Sequence, residues 1–340
     1  MPDTTASALA PCPVPLVLTR NRTHPERAAR RGELVPIRRG VYAPASVWNR
    51  LPPWDRYVAR VHAVGVTRPG CVFSHESAAA LLGLPVVGAP RDVHVLADAG
   101  VSGGDRGGLR VHTTRDPREI VEVGGVSLTS ATECAIDIAR DRCELIALSV
   151  ADAVLRAGHV RSTDVLVARN EDRSTSRGRR RARWSLHRAD AAAESTLESL
   201  SRGTIDLLGY VEPELQPVLG RDRVDFRWGD DDVLGEADGD LKFDGRFGDA
   251  PLLLREQRAR DARLRAGGAR RIMHWGWQDV VEFDRLDDIL RSAGVRRLRP
   301  PDLERLTRCR VALRPAPALD PRDVSPAPRA RREPSVSGRN

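Results

Sequence analysis

The sequence predicts an α/β protein assembled from three units. Three observations lead there. The chain has 340 residues, enough for two or three domains that each bury a core. Short stretches of apolar/polar alternation, the period of a half-buried strand, stand between longer amphipathic stretches of helical period. Residues 188–295 order their elements α-β-β-β-α-β-α, which suits a mixed central sheet flanked by helices.

Residues 1–15 are small and Pro-rich and are expected to be disordered. Residues 16–50 form a small module: a basic helical stretch, Arg27 to Arg31, then Gly32 to Tyr42, which alternates and turns as a β-hairpin. Residues 51–168 form a small α/β unit. Pro52 and Pro53 lie in a turn that opens an amphipathic helix, and Ser74 to Leu82 is a second helix. Asp92–Ala97, Leu109–Thr113 and Gly124–Thr129 are short strands, followed by helices Ser130–Arg140 and Cys143–Arg156. Residues 169–187 are polar and arginine-rich and read as a basic, solvated linker.

The third unit, 188–295, opens on a helix, Asp190–Leu208. A strand pair follows, Glu214–Leu219 and Val224–Trp228, then a strand Val233–Lys242 and a helix Pro251–Arg265. Arg271–Trp275 is a strand, and Trp277 opens a last helix. Residues 296–340 are expected to be a basic, Pro-rich and mostly disordered tail.

Composition narrows the function classes. No run of about 18 apolar residues exists, so no transmembrane helix and no membrane partner is expected. The N-terminus lacks a basic n-region, and Leu16-Val17-Leu18 is too short for the apolar core of a signal peptide. Cys12, Cys71, Cys134, Cys143 and Cys309 are scattered and form no C-x-x-C pair. That pattern argues against a disulfide framework and a zinc site, and it fits a reducing cytoplasm. A net charge of +8 favours an anionic partner, nucleic acid first.

Of the 55 basic residues only Lys242 is a lysine. It stands six positions after Glu236, among carboxylates. A compact, rotatable ammonium does what a guanidinium does not. Chance survival of one lysine is the plain alternative, and the neighbours decide between them. Glu194 and Glu198 are i,i+4 on one helix. Asp225 is an acid in an apolar strand, and Glu236, Asp238, Asp240 and Lys242 alternate along the next, sharing one face if it stays extended. Gln257 and Asp261 are i,i+4 on the following helix. Like charges on one face repel unless a cation joins them, and oxygen-only donors suit Mg²⁺ or Mn²⁺. Such an ion with a nearby ammonium meets the needs of phosphodiester hydrolysis. The plainer readings are a solvated face for Glu194, a turn for Asp240 and an arginine partner for Asp261. Asp225 and Glu236 stand out, because isolated acids on apolar strands are costly.

Glu198-Ser199…Arg202, Asp225, and Glu236-Ala-Asp-Gly…Lys242 resemble the PD-(D/E)XK nuclease-like superfamily, in its very-short-patch-repair-like variety. Residues 256–280, with Trp275 and Trp277, resemble the same family, and the likeness spans roughly 190–285. It implies a restriction-endonuclease-like domain. It implies Glu198 as the helix carboxylate, Asp225 and Glu236 as the main ligands of Mg²⁺ or Mn²⁺, and Gln257 as an auxiliary group. Asp238 stands where the simplest E-x-K pattern has its lysine, so Lys242 would be a displaced substitute four residues on.

Arg38-Arg-Gly-Val-Tyr42, after one basic helix, resembles the wing of the winged-helix domain that begins type IV antitoxins of the abortive-infection class. About one helix precedes the wing where that family has two or three, so the likeness is to a partial winged-helix-like module. It implies DNA contacts by Arg38 and Arg39 and a cognate toxin as partner. A basic hairpin packed on the second unit is the alternative. Ser74 to Pro85 and Gly125 to Arg140 resemble the central domain of such antitoxins. Ser74-His75-Glu76 reads as a helix start with Ser74 capping, and no nucleophile-elbow glycines accompany it, so His75 receives no catalytic role. Asp137, in an apolar helix, is expected to be a buried hydrogen-bonding group. Gly103 to Gly108 is a turn, not a nucleotide loop. Two functions follow: a nucleic-acid-binding, metal-dependent endonuclease-like protein, or a non-enzymatic antitoxin and transcriptional regulator on a degenerate nuclease fold.

Overall fold

The computed structural model describes residues 8–21, 23–88, 90–97, 100, 102–105, 107–229, 232–238 and 250–314, and for 250–254 the backbone alone. The architecture is mixed α/β, with sheets flanked by helices.

The first module contains β1 (Val17–Leu18), α1 (Pro25–Arg30), β2 (Leu34–Arg38), β3 (Val41–Pro44) and α2 (Ala45–Trp48). The strands order β1-β3-β2, all antiparallel. Pairing of Arg38 with Val41 leaves Arg39 and Gly40 as the turn, and Gly40 takes the φ of +79° that such a turn demands. The sheet packs through Ala43 and Ile37 onto Ala59 of α3 (Pro53–Thr67). Residues 8–15 are not disordered as expected. Val14 is buried in this cluster, and the Ala10 N–H donates to the Leu81 carbonyl at 2.8 Å.

The second unit continues with β4 (Val72–Phe73), α4 (His75–Leu81), β5 (Val93–Ala97), β6 (Gly104–Asp105), β7 (Leu109–Thr113), β8 (Ile120–Val123) and β9 (Val126–Thr129). These form one six-stranded sheet in the order β6-β7-β5-β4-β9-β8. Pairs β5/β7 and β4/β9 are parallel, and the other neighbours are antiparallel. Helices α5 (Ala131–Asp141) and α6 (Glu144–Arg156) are buried along almost their whole length. Ser130 caps α5 by accepting the Glu133 N–H. Ser74 makes no such side-chain cap on α4, contrary to the sequence reading; its Oγ lies beside the His75 ring. Asp137 is buried as expected and pairs with Arg118 and Arg173.

The stretch 169–187 is not a solvated linker. It holds the end of α7 (Thr163–Asp172) and most of α8 (Arg179–Arg188). Ala182, Trp184 and Leu186 are buried, and Arg173 is buried against Glu133 and Asp137. Arginine density hides an apolar stripe there, and part of that arginine is structural.

The third unit starts with α9 (Thr196–Leu207), which begins later than expected because Ser195 accepts the Glu198 N–H as its cap. Then come β10 (Glu214–Leu215), β11 (Val218–Leu219), β12 (Asp222–Arg223), β13 (Phe226–Trp228), β14 (Val233–Ala237), α10 (Ala250–Ala266), β15 (Arg271–Trp275), α11 (Trp277–Val281), α12 (Phe283–Ala293) and α13 (Leu303–Leu313). The expected strand 214–219 is broken at Gln216, whose φ is +53°, and Pro217 follows. β11 and β12 leave as a separate hairpin. The main sheet orders β10-β13-β14-β15, with only β14/β15 parallel and α10 as their crossover. α13 corrects the reading of 296–340 as a tail: Leu306, Cys309 and Leu313 are buried, and Arg308 pairs with Glu144 of α6 at 2.6 Å.

One core cluster runs without a break from Tyr57 to Leu313. α9 packs against α6 at Gly203, where an added Cβ would lie 2.6 Å from Leu145 and 2.9 Å from Leu148. The buried Arg202 guanidinium pairs with the buried Asp152 of α6.

Candidate functional site

Alternation along β14 sorts its side chains. Gly235 faces Trp275 and Trp228, and it has no Cβ because those rings leave no room. Leu234 points the other way, into a small cluster with Val224 and Leu264 under α10. Glu236 and Asp238 follow Leu234 on that face. Register places His274 of β15 opposite Glu236. Asp225 precedes β13, and its Oδ2 accepts the Ala237 N–H at 2.8 Å, so its carboxylate lies at the end of β14.

Glu236 is 4% exposed. Arg260 of α10 closes on it: Nη1 donates to Oε2 at 3.1 Å, and Nη2 lies 2.8 Å from Oε1. That second contact lacks hydrogen-bond geometry, and among the described residues Oε1 has no hydrogen-bond donor. Burial, followed by repulsion from Asp225, pushes the Glu236 carboxyl up to about 7 despite Arg260. Its ionised form therefore sits in a field that asks for more positive charge.

Glu198 joins from α9. It is buried, and its Oε2 accepts the Glu194 N–H at 2.9 Å and Gln216 Nε2 at 2.7 Å. Gln216 also reaches Asp225 Oδ1 at 3.3 Å, so one amide links the helix acid to the strand acid. The left-handed backbone of Gln216 ends β10 and places it there. Asp238 accepts from Gln257 Nε2 at 3.0 Å, and its Oδ2 is 2.8 Å from His274 Nδ1. His274 Nε2 lies 3.2 Å from Asp261. The hydrogen bond to Asp238 raises the His274 pKa, with Asp261 adding to it.

The structure thus brings Glu198, Asp225, Glu236, Asp238 and Gln257 together. Lys242 and Asp240 lie outside the described residues. Glu194 is exposed and pairs with Arg223. Asp261 has the expected arginine partner, Arg265 at 3.8 Å, but also faces His274. Sequence reasoning missed Gln216, Arg260 and His274. Only His274 carried a visible signal, since it alternates with Ile272 on a strand parallel to that of Glu236.

The pair expected to touch DNA divides. Arg39 is exposed in the hairpin turn. Arg38 is half-buried, and burial and the nearby Arg68 lower its pKa. Among the described residues no helix is long and apolar enough to cross a membrane.

Compared with protein-family models, curated proteins and solved structures, the chain gives no match.

Proposed function

We propose that the chain is a nucleic-acid-binding protein whose third unit is a metal-dependent, endonuclease-like phosphodiester hydrolase of PD-(D/E)XK type. The observation that carries the reading is the buried Glu236 carboxylate beside Asp225 and Asp238, with its pKa pushed up to about 7. Three acids converge at the end of one strand, and their mutual repulsion helps to raise Glu236. The donors are oxygens, and Glu236 Oε1 lacks a hydrogen bond among the described residues, which fits Mg²⁺ or Mn²⁺. Asp225 and Glu236 would hold the ion, which when bound polarises a phosphoryl oxygen and acidifies a water. The chain's own groups do the rest. The Ala237 N–H and Gln216 fix the Asp225 carboxylate, and Gln216 ties Glu198 to it. Gln257 and His274 hold Asp238 to the side of Glu236, and Arg260 offers a guanidinium for a phosphate oxygen. Arg39 and the net charge of +8 favour the anionic partner.

The test is a nuclease assay on single- and double-stranded DNA and RNA, with and without EDTA. The expected result is Mg²⁺- or Mn²⁺-dependent cleavage, reduced about 100-fold or more in Asp225→Ala and Glu236→Ala. Undiminished cleavage in both variants would sink the site. Lys242→Arg in the same assay decides whether the lone lysine belongs to it.

One observation favours a second reading. Arg260 already closes on Glu236, and His274 already bridges Asp238 and Asp261. Protein cations then stand where an ion would. On that reading the chain is a non-enzymatic antitoxin or transcriptional regulator with a cognate toxin. It would bind DNA in a salt-sensitive, metal-independent way without cleaving it.

A further inference from the structure

Three histidines meet in the second unit, on elements that contribute nothing to the carboxylate site. His75 begins α4, His94 lies on β5 and His112 on β7. His94 is two residues before Leu96, the register partner of His112, so both imidazoles leave the same face of the sheet. One ring nitrogen from each of the three lies within 4.8 Å of the others. His94 Nδ1 and His112 Nε2 are 2.9 Å apart, and the His75 ring stacks on His112 with centroids 3.8 Å apart. His75 reaches this place from a left-handed backbone, φ +49°, which a residue with a Cβ rarely adopts.

The surroundings prepare the rings as ligands. Glu76 is 1% exposed, and its Oε2 is 3.6 Å from His94 Nε2. A carboxylate on that side favours a proton at Nε2, and the Nδ1 of the same ring faces His112. Arg142 pairs with the same carboxylate. Ser74 Oγ lies 3.1 Å from His75 Nδ1, which leaves Nε2 of that ring as the donor atom. Burial lowers the proton affinity of all three, His75 to about 4 and His94 to about 3, so they are neutral imidazoles at pH 7.

We infer that His75, His94 and His112 form a three-histidine site for one divalent transition-metal ion of the zinc and cobalt class. Imidazole-only donors suit these ions and not Mg²⁺ or Ca²⁺. Two nitrogens on a tetrahedral zinc stand about 3.3 Å apart at ordinary Zn–N lengths, so the His94–His112 pair must open and both rings turn until their lone pairs converge, and His75 must tilt from its stack on His112. His112 is half-buried and has room to give. The ion would tie the start of α4 to β5 and β7 and leave a fourth position for water. The scattered cysteines argue against a thiolate zinc site, but histidines 19 and 18 residues apart along the chain escape that reasoning.

The experiment uses the full chain without a histidine tag, stripped with EDTA and dialysed. It is titrated with Co²⁺ while d–d absorption is recorded, and the Co²⁺ is then displaced with Zn²⁺. The expected result is saturable binding of about one equivalent, displaced by Zn²⁺. Affinity should fall about 100-fold or more in His112→Ala and in His112→Gln, with far-UV circular dichroism unchanged. Glu236→Ala should retain the Co²⁺ spectrum, which separates this site from the carboxylates. The inference is overturned if the folded chain gives no saturable Co²⁺ signal, or if both His112 variants bind as the parent does.

Discussion

Glu236 shows at the residue scale what the chain spends to hold its acids together. Its carboxyl is raised to about 7, and His274 is raised above its ordinary value by Asp238. In the unfolded chain the acid titrates near 4.5, so between about pH 4.5 and 7 the folded state binds the extra proton. Stability from this group is full below pH 4.5 and is lost as pH rises through 7. The imidazolium of His274 contributes in the same direction, from its ordinary 6.5 upward. With EDTA present, the share of urea-unfolding stability that depends on Glu236 should therefore decline from pH 5 to pH 8, against the opposite trend of buried His75 and His94, whose lowered pKa values add stability up to their ordinary 6.5. Glu236→Gln should flatten that decline and be more stable than the parent at pH 8 by about 1–2 kcal/mol. A parallel pH profile for parent and variant would refute the shift. Asp225 and Glu236 were legible in the sequence because an acid on an apolar strand is conspicuous. Gln216 and Arg260 were not, because nothing local marks them, and the alternation that marks His274 does not show which strand it faces. Their roles arise from a left-handed backbone turn, a helix face and a parallel register.

At the scale of elements, strands and helices with clean periodicity were legible: β5, β7, β15, α5, α6 and α10 fall close to where alternation or helical period puts them. α8 and α13 were not, for one physical reason. Arginine carries a long aliphatic stem that lies over apolar neighbours while its charge finds a partner, so an arginine-rich helix still packs. In α13, Leu306 is 1% exposed while Val311 is 69% exposed. Leu306→Ala should cost about 2–4 kcal/mol in urea unfolding, and Val311→Ala less than about 0.5 kcal/mol. Equal, small effects at both positions would mean that α13 does not dock on α6 and α9.

At the scale of the whole molecule, the expected division into separate units joined by a linker gives way to a shared interior. Arg173, from the supposed linker, is 6% exposed and neutralises Glu133 and Asp137 of α5. Arg173→Ala leaves Glu133 and Asp137 to share Arg118, with Arg169 still on Glu133, and should cost about 1–3 kcal/mol. Because the core is continuous, circular dichroism and tryptophan fluorescence should follow one urea transition, and the variant should shift both together. Two separated transitions, with only one moved by the substitution, would show that the units fold independently.

The pairing of Arg202 with Asp152 has a consequence for the history and handling of such a chain. The helix that offers Glu198 to the acid cluster is anchored by a guanidinium to α6, in the second unit. A gene fragment encoding only the last third would strand that arginine without its counter-ion and bare the glycine face of the same helix. A chimera that swaps one of the two halves has to carry α6 along with α9.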